Sequence, residues 1–345
     1  MDFKNEPLVS ICIPTYNGSS YIEETLLSAL NQTYKNIEII ITDDKSSDNT
    51  VELCKNFASK DNRIKVFEND SNLGLIGNWT ESVEKASSNW IKFLFQDDLL
   101  QPTCVEKMIH AALNLKVDLV ICNRQYFFEE NFDPKIKRDY EEKLPKTELI
   151  IEDQKIYTPK ETAKQIAPHF FNNCIGEPPT LLFNKAIYSK EDFSEEYFQL
   201  VDYDFILNKI LAHNFVFISE KLLKFRVHSK SESMKNSQSD KENKKAFDRY
   251  LYIHYYEKIL LCHKIINNPV FNELNKLISN EDVEKIKNWF VIKSYRRHGF
   301  KNVFPFYKSS KLSDFILSPV TSSYSTFKYK RMKISHKKYR KKYKI

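Results

Sequence analysis

The chain has 345 residues, 41% hydrophobic and 29% charged, which supplies enough apolar side chain for a packed core and excludes global disorder. The formal net charge is +7, but ten Lys and Arg between Phe327 and Ile345 stand without a single acid, and the rest of the chain carries −3. That distribution excludes a nucleic-acid-binding body and predicts a basic tail suited to an anionic membrane surface.

Cys12, Cys54, Cys104, Cys122, Cys174 and Cys262 are scattered, with no CxxC pair. They read as reduced structural thiols, with neither a zinc site nor a disulfide framework. No run reaches the roughly 20 apolar residues of a membrane span. MDFKNEPLVS lacks the basic and apolar regions of a signal peptide. The expectation is a cytoplasmic protein, with any membrane attachment peripheral.

The first predicted strand is Leu8–Ile13, ended by Pro14, which lacks a ladder N–H. Ser19 or Ser20 is expected to cap a helix with Tyr21, Ile22, Leu26, Ala29 and Leu30 on one face. A second strand, Ile37–Ile41, runs out at Thr42-Asp43-Asp44, and Ser47 or Asp48 is expected to cap a helix carrying Val51, Leu53, Cys54 and Phe57. Ile64–Phe67 is a short third strand; a polar loop, Asn69–Gly74, and a helix from Ile76 to Ala86 lead to Trp90. Strand and helix thus alternate, which predicts an α/β fold with a parallel, doubly wound sheet.

Trp90–Asp98 (WIKFLFQDD) is an apolar run that stops at two adjacent carboxylates, Asp97 and Asp98. A strand so short and apolar belongs inside a parallel sheet, and its carboxyl end lies where such sheets bind ligands. Paired carboxylates there suit a hard divalent cation; a solvated strand end or a cap for the helix Pro102–Leu115 is the plain alternative. A strand, Asp118–Cys122, follows, then an irregular stretch, Arg124–Gln154. A helix Pro159–Phe171, a rigid turn Gly176–Pro179, a strand Thr180–Phe183, a helix Gln199–Ala212 and two short strands, Phe215–Ser219 and Leu222–Val227, complete the first domain. The composition shifts at Ser229–Asp240. Beyond it, Lys241–Ile266 and Glu281–Arg297 are helical patterns. The expected organisation is a catalytic domain at 1–230, a helical extension at 241–326 and the basic tail at 327–345.

PLVSICIPTYNGSSYIEETLLSALNQTYKNIEIIITDDKSSDNT, followed by Asn72-Leu73-Gly74 and Gln96-Asp97-Asp98, resembles the family 2 glycosyltransferases of GT-A fold. The resemblance covers roughly residues 7–230 and implies a Rossmann-like, mostly parallel sheet with flanking helices, here with a C-terminal helical extension. It also implies that Pro14, Thr15, Tyr16 and Asn17 line the nucleotide and that Asp43 or Asp44 accepts from the base ring. Asn72 and Gly74 would lie near ribose and diphosphate, with Asp97 at ribose or metal-bound water and Asp98 binding the metal. Val201-Asp202-Tyr203-Asp204 resembles the family's E-D-x-D region, with Val201 in place of the usual acid. Asp202 would be the general base, and Asp204, two residues on, would not share its helix face. FRVHSKSES resembles a late R-x-H-x-x-S segment, which makes His228 a further metal or diphosphate ligand and Arg226 a diphosphate partner. Glu177 and Pro178 match a loop bordering donor sugar and acceptor, and Asp204 is expected in the same acceptor or donor-sugar region.

The resemblance implies a metal-dependent (Mn2+ or Mg2+), inverting transferase that moves one hexose-type sugar from a nucleoside-diphosphate sugar, such as a UDP-sugar, to a hydroxyl of a glycan or lipid-linked acceptor. Capsule, lipopolysaccharide or other cell-surface polysaccharide synthesis on the inner face of the cytoplasmic membrane is the expected setting. The Q-x-x-R-W motif of processive synthases is absent, as are a P-loop and a G-x-G-x-x-G after the first strand. Two alternatives stay open: a non-catalytic nucleotide-sugar-binding scaffold, and a sugar-phosphate nucleotidyltransferase, which would normally show an early Gly-rich phosphate loop.

Overall fold

The computed structural model describes residues 6–130, 132–142, 144–169, 173–229, 231, 257–258, 260–262 and 264–277. They fall into two units, one within 1–195 and 201–231, the other within 196–200 and 232–345. The predicted helix Glu281–Arg297 and the basic tail lie outside the described residues, as does most of Lys241–Ile266.

In the first unit the apolar runs at the N-terminal end form β1 (Val9–Thr15), β2 (Ile37–Asp43), β3 (Ile64–Glu68) and β4 (Trp90–Phe93). They alternate with α1 (Ile22–Leu30), α2 (Thr50–Ala58) and α3 (Gly74–Lys85). All four strands pair in parallel, in the order β3-β2-β1-β4. After β5 (Leu99–Leu100) and α4 (Cys104–Leu115), the chain adds β6 (Leu119–Phe128), α5 (Pro134–Glu142), β7 (Ile156–Tyr157) and α6 (Pro159–Ile166). β8 (Leu181–Asn184), α7 (Val201–Ala212) and β9 (Phe215–Val227) complete the unit. β8 runs antiparallel between β4 and β6, and β5 and β7 pair antiparallel with β9. The other six of the nine strands point one way.

Several boundaries differ from expectation for identifiable reasons. β1 continues through Pro14 to Thr15, because β4 ends at Phe93 opposite Cys12 and leaves that flank of β1 without a ladder. α1 starts at Ile22 with no side-chain cap; the N–H groups of Tyr21 and Ile22 go to Gly18 O instead. The N-cap of α2 is Asn49, without a side-chain cap, rather than Ser47 or Asp48; Asp48, one residue earlier, accepts from the Thr50 N–H at 3.1 Å. The irregular stretch begins as a continuation of β6, whose Arg124–Phe128 pair with β9, and the two short strands are one strand bent by a bulge near Asn123. α6 takes its start from a Thr158–Glu161 capping box.

One face of the sheet buries Ile11, Ile39 and Ile41 with Leu26, Cys54 and Met108 from the helices. The other carries an aromatic cluster: Phe93 and Phe183 from the sheet meet Phe205 of α7, and Phe193 stacks on Phe205 at 4.4 Å. Each fully buried Phe contributes about 2–3 kcal/mol, so this cluster holds α7 firmly against β4 and β8. α7 is buried nearly all round, which explains why its sequence lacks a polar stripe.

Candidate active site

The carboxyl ends of β1, β2 and β4 lie side by side, because the strands are parallel and in register. Thr15 Oγ1 donates to Asp43 Oδ2 at 2.9 Å, and the Asp44 N–H donates to Thr15 O at 2.9 Å. Asp43 also accepts from the N–H and hydroxyl of Ser46. Asn17 adopts the left-handed conformation, φ 49°, and its Oδ1 takes the Ser47 N–H at 2.8 Å. Tyr16 leaves half of its surface exposed beside this turn.

Asp44 has a structural task that the sequence left open. Its Oδ1 accepts from Leu73 N at 2.7 Å and from the Asn69 amide at 3.0 Å, and its Oδ2 accepts from Gly74 N at 2.9 Å. A carboxylate there satisfies N–H groups at the start of α3 and suits the helix dipole. Asn72 closes the same turn, donating to Asp44 O at 3.0 Å and accepting from Gly74 N at 3.2 Å. Gly74 sits at φ +77°, where a side chain would strain the backbone.

The β4 end brings in Gln96, Asp97 and Asp98. Asp98 is 1% exposed; its Oδ1 accepts from the Arg226 N–H at 2.9 Å, and its Oδ2 is buried without a hydrogen-bond partner. Burial, then the neighbouring Asp97 charge, pushes its carboxyl well above the usual range. Asp97 Oδ2 pairs with His228 Nε2 at 2.9 Å, and Asp97 O accepts from Arg226 Nε at 2.8 Å. The remaining ring nitrogen of His228, Nδ1, is also buried without a partner. Arg226 is fully engaged: it pairs with Glu24 at 2.7 Å and lies between the rings of Tyr21 and Phe127.

An orphaned carboxylate oxygen beside a second carboxylate fits a hard cation. Among the described residues no group of three or more His, Cys, Asp and Glu forms a closed cage. The fit is therefore to an ion that takes one or two protein oxygens and shares its other positions with phosphate and water.

Glu177 borders this centre, and its charge adds to the raised affinity of Asp98 for a proton. Its Oε2 lies 2.8 Å from Arg124 Nε, although that N–H is directed at Tyr126 Oη, 2.9 Å away. Arg124 was not singled out from the sequence; an Arg inside a strand becomes legible only when a buried acid is found opposite it. Pro178 opens the short 3-10 turn Pro178–Thr180, against which α7 packs. Asp202 and Asp204 occupy the first turn of α7; Asp202 is half-buried, whereas Asp204 is 1% exposed and accepts from the Asn208 amide at 3.3 Å. Lys92 and Gln96 are two further residues the sequence understated. Lys92 is wholly buried in β4 and donates to Pro179 O and Leu181 O, which ties the Glu177 turn to the sheet.

Residues 10–172 match the model of glycosyl transferase family 2. The matched segment contains the ends of β1, β2 and β4 and therefore the whole of the Pro14–Asn17, Asp43–Asp44 and Gln96–Asp98 edge. An uncharacterised glycosyltransferase of Methanocaldococcus jannaschii is 28% identical over 273 residues, 77% of this chain and 86% of that protein. One from Haemophilus influenzae is 38% identical over 124 residues, 36% of this chain, and the match spans only 49% of that relative's length. The fold is GT-A: S. aureus TarS in complex with UDP-GlcNAc aligns over 90% of this chain and 81% of its own, with TM-score 0.59 at 18% identity. Among the described residues no helix is long and apolar enough to cross a membrane.

Proposed function

We propose that this chain acts as a family 2 glycosyltransferase, transferring one sugar from a nucleoside-diphosphate sugar to a hydroxyl of a glycan or lipid-linked acceptor, with inversion at the anomeric carbon. The observation that carries the reading is the partnerless Oδ2 of buried Asp98, set beside Asp97 and His228 at the carboxyl edge of β4. The surrounding geometry supports a role for each residue. The exposed ring of Tyr16 offers a face to the base. Asp43 Oδ1 carries only the Ser46 N–H, which leaves a lone pair for a base ring N–H, while Asp44 is committed to the start of α3. Asn72 and Gly74 border ribose and diphosphate.

Asp98, with His228 as second donor, would hold a Mn2+ or Mg2+ ion, whose charge neutralises the leaving diphosphate. Asp97, held by His228 and by the Arg226 guanidinium, would contact ribose or metal-bound water. Asp202 receives the proton of the acceptor hydroxyl as that oxygen attacks the anomeric carbon from the face opposite the nucleotide. Glu177 and Pro178 border donor sugar and acceptor, and Asp204 braces the helix from within. A UDP-sugar is the first donor to test, because S. aureus TarS, of the same fold, forms a complex with UDP-GlcNAc. Cell-surface polysaccharide synthesis, with the basic tail at 327–345 on an anionic membrane, completes the proposal.

Calorimetric titration with UDP, GDP and dTDP, each with and without Mn2+, tests it. The expected result is one nucleotide that binds only with the cation and is lost in Asp98→Asn. No binding under any condition would overturn the reading, whereas metal-dependent binding without turnover would favour the scaffold alternative.

A further inference from the structure

β6 and β9 pair side by side to their last residues, Phe128 opposite Val227. The next residues out, Glu129 and His228, are therefore neighbours, and a bond from the Glu129 N–H to Val227 O at 3.4 Å carries the pairing one step further. Beyond that step side chains take over. Glu129 Oε1 accepts from the hydroxyl of Tyr21, 108 residues away in the chain. Glu129 Oε2 accepts from the N–H and the hydroxyl of Ser229 at 3.2 and 3.4 Å. The Tyr21 ring in turn packs on the His228 imidazole, with centroids 4.4 Å apart and planes inclined at 59°.

His228 is thus held in three ways: by Asp97 Oδ2 at 2.9 Å from its Nε2, by the Tyr21 ring, and by Glu129 through the peptide of the following residue. An ionised carboxylate only accepts, so Nε2 carries the proton, and the neutral ring keeps its lone pair on Nδ1. Nδ1 is buried without a hydrogen-bond partner among the described residues, and His228 is 3% exposed. A buried lone pair without a partner is costly, and it is the group that a metal ion takes from histidine. One hydrogen bond to Asp97 fixes a distance and not the plane of the ring. The packed ring of Tyr21 and the tethered Ser229 peptide supply the remaining constraint, and a histidine ligand binds well only when its orientation is set in this way.

We infer that Glu129 and Tyr21 are positioning residues for His228, keeping its free ring nitrogen available to the cation, a role that rests on the reading of His228 as second donor to that ion. Both act through His228 alone and touch neither nucleotide nor acceptor. The end of β6 and the start of α1 thereby share in building the cation site.

The full-length chain tests this with Glu129→Ala, Tyr21→Phe and, as the conservative variant, Glu129→Gln. Glu129→Ala removes the bonds to Tyr21 and Ser229, whereas Tyr21→Phe keeps the ring and loses only the hydroxyl. The amide of Glu129→Gln can still accept from Ser229 and donate to Tyr21 Oη. In metal-free protein, amide hydrogen exchange at Ser229 should accelerate severalfold in Glu129→Ala. The ligand probe is Mn2+ with UDP, or with GDP or dTDP if that is the nucleotide that binds. Its affinity should fall about 10- to 100-fold in Glu129→Ala, less in Tyr21→Phe, and recover most of the loss in Glu129→Gln. The spin-echo signal of bound Mn2+ should show imidazole nitrogen coupling in wild type, none in His228→Ala, and a weakened coupling in Glu129→Ala even when the site is filled.

A merely structural defect would lower affinity and leave the nitrogen coupling of filled sites at full strength, and that result overturns the positioning role. So does wild-type affinity in Glu129→Ala. His228→Ala separates the two ideas. If it keeps the wild-type affinity and coupling, His228 is not a donor, and the positioning role falls with that reading. If it loses both while Glu129→Ala behaves as wild type, the positioning role alone fails.

Discussion

The side-chain amide of Gln96 is bonded at both ends to the backbone of Tyr16: Oε1 accepts from the Tyr16 N–H at 2.9 Å, and Nε2 donates to Tyr16 O at 3.1 Å. This pair fixes the loop after β1 to the loop after β4, joining the two edges proposed to face nucleotide and cation. Gly18 is part of the same fit, because a Cβ there would stand 2.2 Å from Gln96 Oε1. Gln96→Ala removes both bonds, each worth about 1 kcal/mol, and should weaken nucleotide binding roughly tenfold. Gly18→Ala should do much the same by displacing the amide. The double variant should be no worse than Gln96→Ala alone; additive losses in a calorimetric double-mutant cycle would show that the two act separately.

Asp98→Asn gives a prediction about stability that is opposite in sign to its effect on function. The wild-type carboxylate is buried beside Asp97 with one oxygen unsatisfied, so a neutral amide relieves a desolvation cost. In chelator-containing buffer near pH 7, Asp98→Asn should therefore be at least as stable as wild type, by about 0–2 kcal/mol. Adding Mn2+ with UDP should raise the melting temperature of wild type and leave that of the variant unmoved. A variant that melts well below wild type in chelator would show that the carboxylate is a structural anchor.

Arg124 and Glu177 form a pair that breaks badly when halved. Arg124 is 7% exposed, and it also donates to Ile175 O at 3.1 Å and to Tyr126 Oη at 2.9 Å. Arg124→Met leaves the Glu177 charge without its counter-ion and should cost about 3–5 kcal/mol in denaturant unfolding. Adding Glu177→Gln should recover part of that loss. If the double variant is as unstable as the two single losses combined, the pair is not coupled.

How far the sequence led is visible in these same residues. The runs LVSICI, IEIII and WIKF announce buried parallel strands, and their polar ends mark one sheet edge, because period, length and turn chemistry are local properties. Partnerships are not local. Nothing near Asp44 in the chain says that its oxygens will hold the start of α3, and nothing near Glu257 says that it will hold Phe198–Leu200. Pro14 signals a strand end by its missing N–H, yet the strand passes through it because the neighbouring β4 is shorter. Lys92 hides in an apolar run, since its acceptors are backbone carbonyls that no side-chain pattern reports.

Glu38 supplies a pH test away from the site. Its carboxylate accepts from Ser10 Oγ at 2.6 Å, from Ser87 N at 2.7 Å and Ser87 Oγ at 2.8 Å, and pairs with Lys65 at 2.7 Å. Burial alone would raise its pKa, but the hydrogen bonds, that of Lys65 foremost, hold it down at about 2 against an ordinary 4.5. A group with a depressed folded-state pKa stabilises above its unfolded value and loses that contribution as pH falls through the folded one. Glu38 should accordingly contribute stability in full above pH 4.5 and lose it progressively down to pH 2. At about 1.4 kcal/mol per pKa unit, the contribution reaches at most about 3 kcal/mol. Glu38→Gln should be less stable than wild type at pH 7, and the gap should close as the pH is lowered through that window. Other acids titrate there too, so the quantity to measure is the difference between the two unfolding curves. Curves that stay parallel from pH 7 to pH 2 would mean that Glu38 titrates alike in the folded and unfolded chains.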